Sequence, residues 1–162
     1  MPLTTEQVVK LEEHEGFRSK VYKCTAGFDT IGIGYNLQTN MLKLSANEIK
    51  SLYDVGVTHE KAVYYAKLCC NMVETELSRE LSWYDTLDSN TKFVLINLGF
   101  NMGVQGLLKF TKTLALIRVG KFAEASRELL NSKWATQVDK KLGDGKGRAD
   151  DLAIILKTGK IR

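Results

Sequence analysis

Apolar and polar residues recur with helical periodicity along most of this chain of 162 residues. The longest regular pattern follows Thr58, where apolar side chains return every three or four positions, and it predicts a helix over about residues 58–81. A helix of that length extends about 30 Å, enough to connect two lobes of a protein. We interpret Tyr64, Tyr65 and Met72 on this helix as packing residues rather than ligand contacts. The apolar stripe consists of Ala62, Ala66, Cys69, Val73 and Leu77.

Shorter helices are predicted before and after the long one. Thr4 begins a capping-box pattern for a helix that reaches Glu15, and Gly16 is suited to end it. After a capping Asp88, residues 93–100 are apolar nearly all round. This favours a buried helix, although periodicity alone also permits a buried strand. Further helices are predicted over about residues 45–55, 105–110, 112–119, 122–132 and 149–156.

A glycine-rich segment between the first two predicted helices has the two-residue period of strands. Residues 21–24 and 28–35 predict the two strands of an antiparallel hairpin, with a turn between them. Strand alternation places Thr30, Gly32 and Gly34 on one face, where the lack of bulk would let a ligand approach the backbone. Taken with the helices, the hairpin predicts an α+β fold that is mostly α-helical.

The end of the first helix carries a candidate catalytic acid. Glu15 is predicted to lie on the apolar face, at the negative end of the helix dipole, and both conditions favour its protonated form. A carboxylic acid that is neutral near pH 7 can act as a general acid, which is the role we assign to Glu15. On the hairpin, Tyr22, Cys24 and Thr30 would converge opposite it. The alternative is a purely structural hairpin in which Cys24 and Thr30 only pack.

Composition narrows the class of protein. The net charge of +4 comes from 23 basic and 19 acidic residues that are scattered along the chain, whereas a nucleic-acid-binding protein would concentrate its basic residues. We therefore expect no nucleic-acid partner. The first 15 residues lack the apolar core of a signal peptide, and no apolar run approaches the ~20 residues of a membrane span. We expect accumulation in the cytoplasm of the cell that makes the protein.

Cysteines, histidines and the remaining glycines indicate no cofactor or metal. Three cysteines, of which Cys69 and Cys70 are adjacent, do not form a disulfide framework. His14 and His59 are isolated and lack metal-ligand spacing. The glycines of residues 143–147 match neither a phosphate loop nor a calcium loop, so we expect a flexible surface loop there.

The segment from residue 14 to residue 36 resembles the active-site signature of the T-even phage lysozyme family of muramidases, glycoside hydrolase family 24. In that signature a glutamate in H-E-G or D-E-G is followed by Asp or occasionally Cys, and then by a threonine within T-I-G-[IY]-G. Glu15, Cys24 and Thr30 have the family's spacing. The resemblance continues in the family's order through residues 97–103, 106, 110–111, 132–134, 147–149 and 157–159.

The resemblance implies a lysozyme-like architecture. Its small N-terminal lobe, about residues 13–57, would contain an antiparallel β-hairpin or sheet. The helix of about 58–81 would join that lobe to a helical C-terminal lobe of about 82–162, to which helix 4–14 would also belong. The whole chain, 1–162, would then be a single lysozyme-like domain.

The resemblance also implies an activity and a biological setting. The expected reaction is inverting hydrolysis of the β-1,4 bond between N-acetylmuramic acid and N-acetylglucosamine in bacterial peptidoglycan. The expected protein is a monomeric endolysin without cofactor or stable membrane association. It would stay in the host cytoplasm until a phage holin opens the membrane, and then reach the periplasm and cell wall to lyse the host.

The family pattern assigns a role to each matching residue. Glu15 would be the acid, Thr30 would help to orient water, and Arg148 would hold Glu15 in place. The alternative for Arg148 is an exposed arginine at the start of a helix. The sugar would be contacted by Gly34, Asn36, Phe100, Asn101 and Thr113.

Cys24 departs from the usual carboxylate at its position. A free thiol has a pKa of about 8.5 and is mostly neutral at pH 7, unless a nearby cation such as Lys20 or Lys23 lowers it. A thiolate could serve as base or as nucleophile, and the second role would change inversion to retention. Asp29 is the other candidate partner, but strand alternation turns it away from Thr30, so we prefer Cys24.

Two other functions remain open at this point. A peptidoglycan-binding relative could retain the fold with weakened catalysis, and Cys24 is the feature that favours it. A transglycosylase or chitinase-like enzyme could use Glu15 on the same or another polysaccharide.

Overall fold

The computed structural model describes residues 2–162, which form two compact units. The first unit ends at Met72 and the second comprises Val73–Arg162. Helices and one small antiparallel sheet make up the fold, which confirms the predicted α+β, mostly helical class. No helix among residues 2–162 is both long and apolar enough to cross a membrane. The predicted lobe limits and the connecting role of the long helix stay predictions.

The first unit contains two helices, a sheet and most of the long third helix. Its elements are α1 (Thr5–Glu15), β1 (Arg18–Lys23), β2 (Asp29–Gly32), β3 (Tyr35–Asn36), α2 (Ala46–Asp54) and α3 (His59–Glu80). The predicted caps are present. Thr4 forms both bonds of a capping box with Gln7, and Gly16 ends α1 with φ of 74°. Ser45 and Thr58 accept backbone N–H groups at the starts of α2 and α3.

The sheet is three-stranded, in the order β1-β2-β3. The prediction of one continuous strand over residues 28–35 is wrong, because the chain turns after Gly32 and pairs again only at Tyr35. Gly32 and Gly34 have φ of 66° and 69°, which L side chains rarely adopt. A Cβ on Gly32 would lie 3.0 Å from that of Ala62, so Gly32 is needed for packing against α3. The predicted bare face for a ligand is therefore absent.

The stripe predicted on α3 is buried, with exposures of 0–5% for its five members. Tyr65 is also buried, and its hydroxyl donates to Glu48. Tyr64 and Met72 are 57% and 45% exposed, so their assignment as packing residues is wrong. Both lie off the apolar stripe, and residue type alone suggested burial.

The second unit contains the end of α3 followed by six α-helices and a 3-10 turn at Tyr84–Thr86. The central helix is α4, whose residues 93–99 are all buried, and this confirms a helix rather than a strand. Helix α9 packs against α4 and α7. The short helix α8 was not predicted. The helices are α4 (Ser89–Met102), α5 (Val104–Leu107), α6 (Thr111–Arg118), α7 (Phe122–Leu130), α8 (Lys133–Val138) and α9 (Arg148–Thr158).

Candidate active site

Glu15 is the last residue of α1, and its half-buried side chain lies against the backbone of the turn between β2 and β3. A Cβ built on Gly34 would lie 2.7 Å from Glu15 Oε2 and 3.1 Å from its Cδ. Residue 34 must therefore lack a side chain for the carboxylate to occupy this position. Gly34, which the resemblance assigns to sugar binding, is thus also required structurally, because a side chain there would collide with Glu15.

Tyr22, Cys24 and Thr30 lie on one face of the hairpin. Tyr22 is the cross-strand partner of Thr30, and cross-strand partners share a face. Burial raises the pKa of the Tyr22 hydroxyl, and the negative charges of Glu15 and Cys24 raise it further. Tyr22 is therefore within electrostatic range of both residues. From the sequence we expected only that it shares a face with Cys24.

Hydrogen bonds lower the pKa of the Cys24 thiol. The largest contribution is from the backbone of Phe28, and the backbones of Ala26 and Gly27 and the hydroxyl of Thr30 add to it. The expected contribution of Lys20 or Lys23 is not among the causes. The turn at residues 24–28 thus aims backbone N–H groups at the sulfur and favours the thiolate.

The Thr30 hydroxyl has two acceptors within reach. It donates to the carbonyl oxygen of Phe28 at 2.9 Å, and it is among the groups that lower the pKa of Cys24. A hydroxyl carries one proton, so it can bond the carbonyl while Cys24 is neutral and turn to the sulfur when Cys24 is charged. Thr30 is 4% exposed, which limits other motions of its side chain.

Asp29, the other candidate partner, is bound elsewhere. Its carboxylate accepts a bond from the Tyr53 hydroxyl at 2.6 Å and forms an ion pair with Lys23 at 2.5 Å. Both contacts lower the pKa of Asp29, the bond from Lys23 most strongly. Asp29 is thus a charged carboxylate held by β1 and α2, consistent with the alternation that turns it away from Thr30.

Asn36, a predicted sugar contact, has a structural role in the turn that follows β3. Its Oδ1 accepts backbone N–H groups of Gln38 and Thr39, both at 2.9 Å. These are the bonds of an Asx turn, for which asparagine is suited. Its side-chain amide nitrogen forms neither of these bonds.

Arg148 begins α9 in the second unit and is 7% exposed, so the alternative of an exposed helix-start arginine is wrong. Its Nε donates to Asn97 Oδ1 at 2.8 Å and its Nη2 to the Asn97 carbonyl at 3.3 Å. Asn97 is itself fully buried within α4. These bonds fix the plane of the guanidinium.

Two carboxylates organise the segment before Arg148. Asp139 accepts the N–H groups of Ala149 and Asp150, both at 3.0 Å, and so caps the start of α9. Asp150 accepts those of Gly143 and Gly145 at 2.9–3.1 Å. The loop expected to be flexible is therefore hydrogen-bonded to the buried side chain of Asp150. Sequence reasoning missed both acids, because each lies several residues from the groups it binds.

One of the other predicted sugar contacts of the second unit lines a cavity of about 380 Å³. Buried Thr113 lines it together with Phe110 and Trp134, whose rings pack edge to face. Trp134 Nε1 donates to the Oδ1 of exposed Asn101 at 2.8 Å. Phe100, the preceding residue of α4, is partly exposed. Trp134 was not predicted as a site residue, although its tryptophan-bearing motif carries part of the resemblance.

The candidate site residues thus fall into two sets. Glu15, Cys24, Thr30, Gly34 and Asn36 lie in the first unit, whereas Phe100, Asn101, Thr113 and Arg148 lie in the second. No group of histidine, cysteine, aspartate or glutamate side chains within residues 2–162 is arranged to hold a metal ion. Glu15, packed on the glycine turn of a small sheet that also carries Thr30 and leads to Cys24, in a mostly helical protein, is compatible with a lysozyme-like glycosidase.

Comparison with known proteins agrees with this class. Residues 12–147 match the phage lysozyme family, and the chain belongs to that family. Two relatives from Dictyostelium discoideum are named probable T4-type lysozyme 2 and probable T4-type lysozyme 1. The first is 32% identical to this chain over 94% of the length of each protein, and the second is 30% identical over 93% of each. The pre-baseplate central spike protein Gp5 of Enterobacteria phage T4 is 26% identical over 93% of this chain, which spans 27% of that longer protein. Family membership supports a lysozyme-type peptidoglycan hydrolase.

Proposed function

We propose that this protein is a muramidase that hydrolyses the β-1,4 bond between N-acetylmuramic acid and N-acetylglucosamine in peptidoglycan, with Glu15 as the general acid. The observation that carries the proposal is the carboxylate of Glu15 packed on Gly34, on the segment that also holds Cys24 and Thr30. A glycosidase needs an acid for the leaving oxygen and a second group that handles water or the developing positive charge.

In the proposed reaction Glu15 donates its proton to the glycosidic oxygen as the bond to the anomeric carbon breaks. Water adds to that carbon, and the Cys24 thiolate accepts the proton that the water loses. Thr30 orients the water. The lowered pKa of Cys24 supports this role, because a thiolate can replace a carboxylate as base only if it is populated near neutral pH. Attack by sulfur itself is the second possibility and would produce retention.

Arg148 is proposed as a positioning residue of the same site. Its burial and its bonds to Asn97 support a guanidinium held in one orientation. Gly34, Asn36, Phe100, Asn101 and Thr113 are the proposed sugar contacts. The hydrogen bond between Asn101 and Trp134 supports an ordered polar group beside an aromatic surface, a combination common in carbohydrate and other ligand sites.

The proposed biological role is that of an endolysin. The protein would be made as a monomer in the host cytoplasm and would depend on a holin to reach the cell wall, where cleavage of peptidoglycan releases phage. Membership of the phage lysozyme family supports the peptidoglycan hydrolysis that this role requires. Lysis of host cells that coexpress a membrane-permeabilising protein, compared with cells that express this chain alone, tests the dependence.

The anomeric outcome of the wild type, beside two Cys24 variants, tests the mechanism. Hydrolysis of a peptidoglycan oligosaccharide followed by proton NMR should first show the inverted α-anomer. Cys24→Asp should preserve or raise the rate, whereas Cys24→Ala should lower it about 10²-fold or more, because no base remains. Initial formation of the β-anomer would instead assign Cys24 as the nucleophile. If Asp29→Asn were the crippling change, the choice of Cys24 would be wrong.

The thiol at position 24 also favours a second candidate, a peptidoglycan-binding protein with weakened catalysis. Turbidity of permeabilised Gram-negative cells separates the two, since a binding protein would sediment with peptidoglycan without lowering turbidity. Analysis of the products of peptidoglycan digestion would identify a transglycosylase, which would leave 1,6-anhydro sugars rather than new reducing ends.

A further inference from the structure

A second cavity of about 380 Å³ lies in the second unit and shares no residue with the one beside Trp134. It is a groove between α7 and α9, closed at one end by the loop that contains Gly143 and Gly145. Its apolar lining is formed by Ala123, Leu130 and Ile154, together with other small residues. The volume is in the range of small-molecule sites in proteins, and none of the candidate catalytic residues lines it.

The rim of this groove is positively charged. Arg127, Lys157 and Arg162 line it, and within residues 2–162 neither Arg127 nor Lys157 forms an ion pair. Arg162 Nη2 donates to the carbonyl oxygen of Gly145 at 3.1 Å, which brings its guanidinium to the loop. Three cations without a carboxylate partner at one groove create a favourable potential for an anion.

Asp150 is the one acidic residue among those that line the groove, and its carboxylate is already occupied. It is 3% exposed, and both of its oxygens accept backbone N–H groups of Gly143 and Gly145. It therefore shapes the loop at the end of the groove and forms no ion pair with the cations of the rim, which outnumber it by three to one.

Ser126 provides an independent sign of a ligand. It is 6% exposed, lines the groove, and its hydroxyl has no hydrogen bond to any residue that the structure describes. Within residues 2–162, every side-chain oxygen or nitrogen that is inaccessible to solvent has a hydrogen-bond partner. The Ser126 hydroxyl, which has none, must therefore be accessible, and the groove that Ser126 lines is where it is exposed. A donor held in this position is available to an acceptor that enters the groove.

We propose that this groove binds the phosphate group of a small organic phosphate. The phosphate oxygens would accept bonds from Arg127, Lys157, Arg162 and the Ser126 hydroxyl, and the apolar lining would contact the carbon part of the ligand. A phosphate monoester has three strong acceptor oxygens and nearly two negative charges at pH 7, which match three cations and one hydroxyl better than a carboxylate does. The planar fork of arginine also suits phosphate geometry. The proposal is independent of the muramidase activity.

Isothermal titration with glycerol 3-phosphate, inorganic phosphate and glycerol tests the site. Saturable binding of glycerol 3-phosphate is expected, tighter than that of inorganic phosphate, with none for glycerol. The double variant Arg127→Gln, Lys157→Gln should weaken it by about 10-fold or more, since two charge-assisted bonds are lost. Arg118→Gln combined with Lys67→Gln is the matched control, because it removes the same charge at exposed positions outside the groove.

Ser126→Ala separates a ligand contact from general electrostatic attraction. The variant should bind glycerol 3-phosphate several-fold more weakly while its thermal stability is unchanged or raised, because the hydroxyl has no protein partner to lose. Absence of saturable binding by the wild type would overturn the proposal, and so would equal weakening in the control double variant. Unchanged affinity in Ser126→Ala would likewise overturn the assigned contact.

Competition identifies the source of the phosphate. Vesicles that contain phosphatidic acid, whose headgroup is a phosphate monoester, would indicate a lipid headgroup if they displace glycerol 3-phosphate, whereas displacement by glucosamine 1-phosphate alone would indicate a soluble or glycan-linked phosphate ester. Either result supports the phosphate chemistry of the groove.

Discussion

Replacement of Gly34 by alanine tests the geometry around Glu15. The new Cβ would lie 2.7 Å from Glu15 Oε2. The closest ordinary carbon–oxygen contacts are about 3.3 Å, so the carboxylate must move by about 0.6 Å. A displacement approaching 1 Å at a catalytic group can reduce the rate by about 10²-fold. We therefore expect the rate of peptidoglycan cleavage by Gly34→Ala to fall between about 10-fold and 100-fold.

The same substitution has a separate cost in the backbone. Gly34 has φ of 69°, and the left-handed conformation costs a residue with a Cβ about 1–2 kcal/mol. In a protein of this size that corresponds to a decrease in Tm of about 2–8 °C. Gly120→Ala is the matched control, because Gly120 has φ of 79° and a Cβ there would meet no atom within 4 Å. It should lose similar stability and retain wild-type activity.

The assay for both variants is turbidity loss of permeabilised cells at a temperature well below the lower Tm, with calorimetry for the stability. Equal activity in Gly34→Ala and Gly120→Ala would refute the reasoning, because the backbone strain would then be the only consequence and the position of Glu15 would not matter. Loss of activity in both variants would also refute it, since it would point to instability rather than displacement.

Two further predictions concern the thiol and the helix cap. Hydrogen bonds lower the pKa of Cys24, so alkylation by iodoacetamide should reach its half-maximal rate at a pH below the pKa of a free thiol, which is about 8.5. A midpoint above that pH would contradict the prediction. Cys69, whose pKa burial raises to about 12, should not react in the folded protein, and mass spectrometry distinguishes the two sites. Asp139→Asn should lower the free energy of unfolding by about 1–3 kcal/mol, because it removes a buried charge-assisted bond at the start of α9. The exposed cap Asp88→Asn should change stability little in the same denaturant titration, and an equal loss in both variants would contradict a special role for Asp139.

Local signals were sufficient to predict most of the helices. The caps at Thr4, Ser45, Thr58 and Asp88 all bind backbone N–H groups of their own first turn, so each is visible within four residues of sequence. The burial of α4 follows from its composition alone. The spacing of Glu15, Cys24 and Thr30 likewise identified the segment that forms the first-unit part of the candidate site.

Features that depend on distant residues were not predictable in this way. The lack of room for a side chain at Gly32 is due to Ala62, thirty positions later in the chain. The cap of α9 is supplied by Asp139, which lies ten positions before Ala149 in the chain. The cause of the lowered pKa of Cys24 is the fold of its own turn, which aims N–H groups at the sulfur, rather than the neighbouring lysines.

The central claim, that Glu15 supplies the proton for glycosidic cleavage, is tested most directly by Glu15→Gln. The amide is nearly the same size but cannot act as an acid, so the release of reducing ends from purified peptidoglycan should fall by about 10²-fold or more, with the fold retained by circular dichroism. Glu13→Gln, on the same helix and paired with Lys10 at 2.6 Å, is the control and should remain active. Release of reducing ends by Glu15→Gln at the rate of the control would contradict the account.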